Sequence, residues 1–98
     1  MIRRARRALE RQEHLLHRLK ALAGECGAEV REQKLHHEVG FRARSGVCRA
    51  GERHLLILDS NAQADERVDA VIDFLSAADT SRVTLAPDIA DLIKGRRR

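Results

Sequence analysis

From Arg3 to Ala23 the chain runs without a Gly, a Pro or a β-branched residue. Ala, Leu, Arg, Glu, Gln and Lys, all strong helix formers, fill the stretch and predict one long helix over residues 1–24. Within it, Ile2, Ala5, Leu9, Gln12, Leu16, Leu19 and Ala23 recur at alternating steps of three and four. That is the seam of a heptad helix with one polar member, widened by Leu15 and Leu22. Such a stripe serves two purposes equally well. It can dock the helix on the chain's own sheet, or it can pair two copies. The first two turns are too rich in Arg and Ala to dock well alone, so Leu9, Gln12, Leu16, Leu19 and Leu22 form a candidate dimer interface. Gly24 and Gly27 bracket the expected helix end.

Beyond Gly27 the period changes from helical to extended. Residues 28–58 read as a β-meander. Ala28–Leu35 is an edge-like strand, and Val39, Phe41 and Ala43 alternate with Gly40, Arg42 and Arg44. Val47–Arg49 resumes the extended run after Ser45-Gly46, and His54–Leu58 is apolar on both faces and therefore central and covered on both sides. Ser60 with Gln63 matches a capping box opening an amphipathic helix over 60–78, with Ala64, Val68, Val71, Ile72 and Leu75 on its buried face. A short strand and helix follow over 82–95, with Pro87 in the first turn and Gly95 as the stop, and 96–98 is a basic tail. Sequential strands joined by short turns imply an α+β fold. It is expected as one domain over 1–98, with a long N-terminal helix, a three- to four-stranded mainly antiparallel sheet, and two further helices.

Composition narrows the function classes. Of 98 residues only Phe41 and Phe74 are aromatic, which argues against the stacking platforms that bind single strands. No export signal and no membrane-length apolar run is legible, so a cytoplasmic protein without membrane attachment is expected. Charge is segregated. Residues 1–24 carry a net +5, residues 59–79 a net −5, and residues 80–98 a net +3. A basic helix can meet the acidic helix of a second copy or an acidic partner. Alternatively, Arg3, Arg4, Arg6, Arg7, Arg96, Arg97 and Arg98 can neutralise nucleic-acid phosphates.

Chemistry is sparse. HExxH, GxSxG, P-loop and dinucleotide fingerprints are all missing. Cys26 and Cys48 have no CxxC partner and read as free thiols. A zinc site of Cys26, Cys48 and His36 or His37 is imaginable but unsupported by spacing, and His14 and His17 lack a third ligand. Cys48 with His54 is the only nucleophile–base pair to test. No catalytic residue, cofactor or metal is expected.

One resemblance appears in the order of segments. A helix ends in Gly24-Glu25-Cys26-Gly27, and a strand starts at Ala28-Glu29-Val30-Arg31. A hairpin follows, then the strand Leu55-Leu56-Ile57-Leu58-Asp59, and then Asp65-Glu66-Arg67 opening a helix. Over residues 20–78 this order resembles the N-terminal half of the ImmA/IrrE-type zinc metallopeptidase domain. That family carries HExxH on the helix after the strand, whereas Val68–Leu75 holds no His. The resemblance therefore implies a zinc-free relative kept for binding and carries over no functional residue. In style the chain also resembles short Arg- and Ala-rich bacterial proteins. The resulting expectation is a non-enzymatic, homodimeric interaction protein, with nucleic-acid binding as the alternative and a metal- or thiol-dependent enzyme behind both.

Overall fold

The computed structural model describes residues 2–34, 46–50 and 53–96. Helix α1 spans Ile2–Glu25, β1 Ala28–Gln33, β2 Gly46–Ala50, β3 Arg53–Asp59, α2 Ala64–Ala77 and α3 Pro87–Arg96. The α+β class and the long N-terminal helix are as expected. At the end of α1, the Cys26 amide donates to the Leu22 carbonyl at 3.0 Å. Gly27 then turns the chain into β1 with φ +93°, a left-handed conformation that a Cβ would strain.

The sheet corrects the sequence reading. Its order is β1-β3-β2, with β1 parallel to β3 and β2 antiparallel to it. It is a mixed sheet and not an antiparallel meander. The meander assumed that consecutive strands pair. Instead, among the described residues, β3, the most apolar strand, takes the centre, and charged β1 takes an edge beside it. The pairs Ala28–His54, Val30–Leu56 and Glu32–Leu58 fix that register. Exposed Glu29 and Arg31 hold each other at 2.9 Å on β1, the charged character that protects an edge. The expected strand around Val39–Ala43 lies outside the described residues.

The helices cover one face of the sheet, with α1 on β1 and α2 on β3. Leu56 and Leu58 are fully buried beneath them, whereas Leu55 and Ile57, on the other face, are half-buried. Among the described residues, then, β3 is packed by helices on one side rather than on both. Helices α1 and α2 lie side by side. Arg67 in the first turns of α2 reaches Glu13 of α1 at 3.0 Å and Glu32 of β1 at 3.7 Å. The core they enclose is aliphatic except for Phe74: Leu16, Leu19, Leu22, Ala23, Leu56, Leu58, Val68, Val71, Ile72, Leu75, Ile89 and Ile93 are its main members.

Three local expectations fail for physical reasons. Helix α2 starts at Ala64, four residues after Ser60, and its N-cap Gln63 makes no side-chain capping bond. Asp59 intervenes by accepting the Asn61 amide at 2.9 Å, an Asx turn that delays the helix. The Ser60 amide is spent on the Gln33 carbonyl. Residues 82–85 form no strand. Val83 closes a turn onto Thr80, and Val83 and Leu85 pack half-buried against the core. Gly95 does not stop α3, which runs on to Arg96.

Candidate functional site

Along α1 the environment changes halfway. Leu16, Leu19, Leu22 and Ala23 are buried within the chain's own core, at 6% exposure or less. By contrast every residue from Arg3 to Arg11 is exposed, and Leu9 shows 54% of its surface. The candidate dimer interface is thereby split. Leu16, Leu19 and Leu22 already have partners in cis, leaving only Leu9 and half-buried Gln12 of that interface accessible.

The exposed half is strongly basic. Arg3, Arg4, Arg6, Arg7 and Arg11 make no ion pair with another described residue. The first turn of α1 contains no acidic side chain. Cations there oppose the helix dipole, each costing about 0.3–1 kcal/mol. Pairs such as Arg3–Arg7 and Arg7–Arg11 also sit four apart with like charge.

Arg3, Arg7, Arg11, His14 and Arg18 follow one another at steps of four, four, three and four, which puts them on one flank of the helix. Arg7, Arg11, His14 and Arg18 line an open groove together with Glu10 and Asp88. At its far end Arg18 grips Asp88, the second residue of α3, through two hydrogen bonds of 2.8 and 3.1 Å. This bond to the guanidinium holds the Asp88 carboxyl below its ordinary range. Asp88 also accepts the Ile89 amide at 2.9 Å and so caps α3. Sequence reasoning that counted only the Arg run at 3–7 missed Arg11, His14 and Arg18, although their spacing was legible.

At the other basic site the described arginine is already ion-paired. Arg96 is engaged by Asp69 and Asp73 of α2, so it neutralises the acidic helix instead of standing free. Arg97 and Arg98 lie outside the described residues.

Among the described residues no three His, Cys, Asp or Glu side chains converge as a metal would require. His36 and His37 lie outside them. Cys48 pairs with Leu55 across the strands, and His54 pairs with Arg49. The His54 ring lies 6.0 Å from that of Phe74. Burial, with help from Glu25 and Asp79, pushes the half-buried Cys26 thiol up. Little thiolate is present near neutrality, and the thiolate is the reactive form. Iodoacetamide at pH 7.5 is therefore expected to modify Cys26 several-fold more slowly than free cysteine, with the difference lost in urea. Peptide mass spectrometry reads this out, and faster modification in the folded chain would contradict it.

No helix among the described residues is long and apolar enough to cross a membrane. No protein-family model matches the chain, and neither curated proteins nor solved structures gave a match.

Proposed function

We propose that this is a non-enzymatic interaction protein, acting in the cytoplasm, whose working surface is the exposed N-terminal half of α1. One observation carries the reading: α1 continues well past the core it docks on, and the extra turns are held basic against the preference of the helix itself. Local rules are broken mainly at functional or strained sites. The helix that a peptidase-like order would give zinc ligands presents Asp65, Glu66, Asp69 and Asp73 instead, with no His.

Self-association through the α1 seam is the weaker form of this reading. A symmetric pair buries two copies of Leu9, about 3–6 kcal/mol in all. Association costs roughly 4–15 kcal/mol. Ala5, Leu9 and Gln12 from both copies reach only the low end of that cost, so the partner proposed for this surface is an acidic one.

The test asks whether the arm's sequence serves folding. Arg3→Glu and Arg4→Glu are each expected to raise stability by about 0.3–1 kcal/mol through the helix dipole. Leu9→Asp should leave the fold intact. Urea unfolding followed by circular dichroism measures all three. A loss of stability on replacing Arg3 or Arg4 would assign these residues to folding and remove the proposal.

A further inference from the structure

We infer that the flank of α1 carrying Arg3, Arg7, Arg11, His14 and Arg18 is a docking surface for the phosphate backbone of a nucleic-acid duplex. The inference rests on the proposal that the exposed half of α1 is the working surface, and it names the partner. Fifteen residues of helix separate Arg3 from Arg18, a straight run of roughly 22 Å. Within it Arg3, Arg7 and Arg11 form no ion pair with another described residue, although Glu10 lines the groove beside them, and Arg18 is neutralised by Asp88. Guanidinium groups suit phosphate because their planar donors match its oxygens in pairs.

Charge complementarity by itself would also admit an acidic protein, but the flank lacks what a protein interface needs. Such interfaces depend on buried aromatic or aliphatic anchors in pockets. The apolar side chain of this groove is Leu15, itself half-buried against the core. Backbone neutralisation of nucleic acid requires no such anchor. A second copy's acidic helix fits poorly, because Arg96 already holds Asp69 and Asp73. A duplex is favoured over a single strand because single-strand sites stack bases on aromatic rings, and the whole chain holds two.

Asp88 gives the surface a built-in competitor. It occupies Arg18 and places a negative charge at the end of the row. Asp88→Asn keeps a side-chain oxygen to cap α3 while releasing Arg18, so it is expected to tighten binding.

Fluorescence anisotropy of the full chain with labelled DNA and RNA duplexes of about 20 base pairs, and with the matching single strands, tests the inference across a salt series. With three phosphates engaged by Arg3, Arg7 and Arg11, log affinity should fall against log salt with a slope of about −2.7 for a DNA duplex. R7E/R11E is expected to weaken duplex binding by at least about tenfold. K34E/R82E changes the net charge equally but lies off α1, and should weaken it by no more than about threefold. D88N should tighten it about two- to fivefold. The DNA and RNA arms identify which backbone is preferred.

Absence of duplex binding at about 50 mM salt overturns the inference. So does equal weakening by both double variants, which would reduce it to net charge, and so does a poly-glutamate competitor as effective as the duplex, which would assign the surface to an acidic protein. These failures leave the working-surface proposal standing if Arg3→Glu and Arg4→Glu still stabilise the fold. Should R7E/R11E lose its helical circular dichroism, R7Q/R11Q takes its place in the comparison.

Discussion

Leu19→Ala is expected to lower the unfolding free energy by about 3–5 kcal/mol, and Leu9→Ala by less than about 0.5 kcal/mol. The two leucines occupy the same seam of α1, so intrinsic helix propensity and hydrophobicity cancel between them. What differs is the surroundings. Leu19 is completely buried among α1, α2 and the sheet, and its removal leaves a cavity as well as a lost transfer term. Leu9 keeps 54% of its surface in solvent and has little to lose. Against a total stability of about 5–15 kcal/mol, the Leu19 variant approaches the threshold of folding. Urea midpoints measure both. For the unmodified chain the midpoint should also stay constant between about 1 and 50 μM protein, since a seam shared by two copies would make it rise with concentration. A Leu9→Ala cost comparable to that of Leu19→Ala would mean that the upper seam is also covered, and the exposed arm would not exist.

Much of the architecture was legible in the chain because it is encoded locally. The long helix follows from an unbroken run of helix formers, and β3 follows from five consecutive residues, His54–Leu58, with a single polar member. The partners of the strands were not legible. Whether β1 joins β2 or β3 is decided by the drive to bury Leu56 and Leu58 centrally, a property of the assembled sheet that adjacent residues do not record. The start of α2 was misread because two local devices competed. Ser60 and Gln63 offered a capping box, but the Asp59 carboxylate captured the Asn61 amide first. At the candidate site, the Arg run at 3–7 stood out as composition, while the proposed binding row lies in the spacing that carries it on to Arg11, His14 and Arg18. Nothing in the sequence showed that Asp88, seventy residues from Arg18, would close that row.

The heptad seam shows why a periodic signal decides less than it promises. Its three-four spacing is identical above and below Gln12, and a helix has no means of stating within its own sequence where its partner ends. The boundary is set by α2. Arg67 grips Glu13 near the start of α2, and below that level Val68, Val71, Ile72 and Leu75 take up the seam. Above that level Leu9 and Gln12 face only an open groove beside the start of α2, with Gln63 and Asp65 on its other side. The same seam is core in one half and surface in the other.

Phe74→Ala should cost about 3–5 kcal/mol, while Phe74→Leu should cost less than about 1.5 kcal/mol. Phe74 was not placed on the buried face of α2 by the helical pattern, yet it is only 6% exposed. Its ring lies tilted at 59° over His54 of the central strand, the one ring-to-ring contact among the described residues. Such a pair contributes about 0.5–1.5 kcal/mol beyond burial, so the Leu variant isolates the ring contact and the Ala variant adds the cavity. Denaturant unfolding gives both values, and a Phe74→Ala cost below about 1 kcal/mol would show that α2 can close over the gap. The consequence should reach further than α2. Asp73, next to Phe74, and Asp69 hold Arg96 at the end of α3, while Asp88 at its start holds Arg18 on α1. Loosening α2 from the sheet therefore slackens α3 at one end and frees the arginine row at the other. Hydrogen exchange in the Ala variant should accelerate across Pro87–Arg96 as well as across Ala64–Ala77, because Arg96 and the buried Ile89 and Ile93 tie α3 to α2 and the shared core.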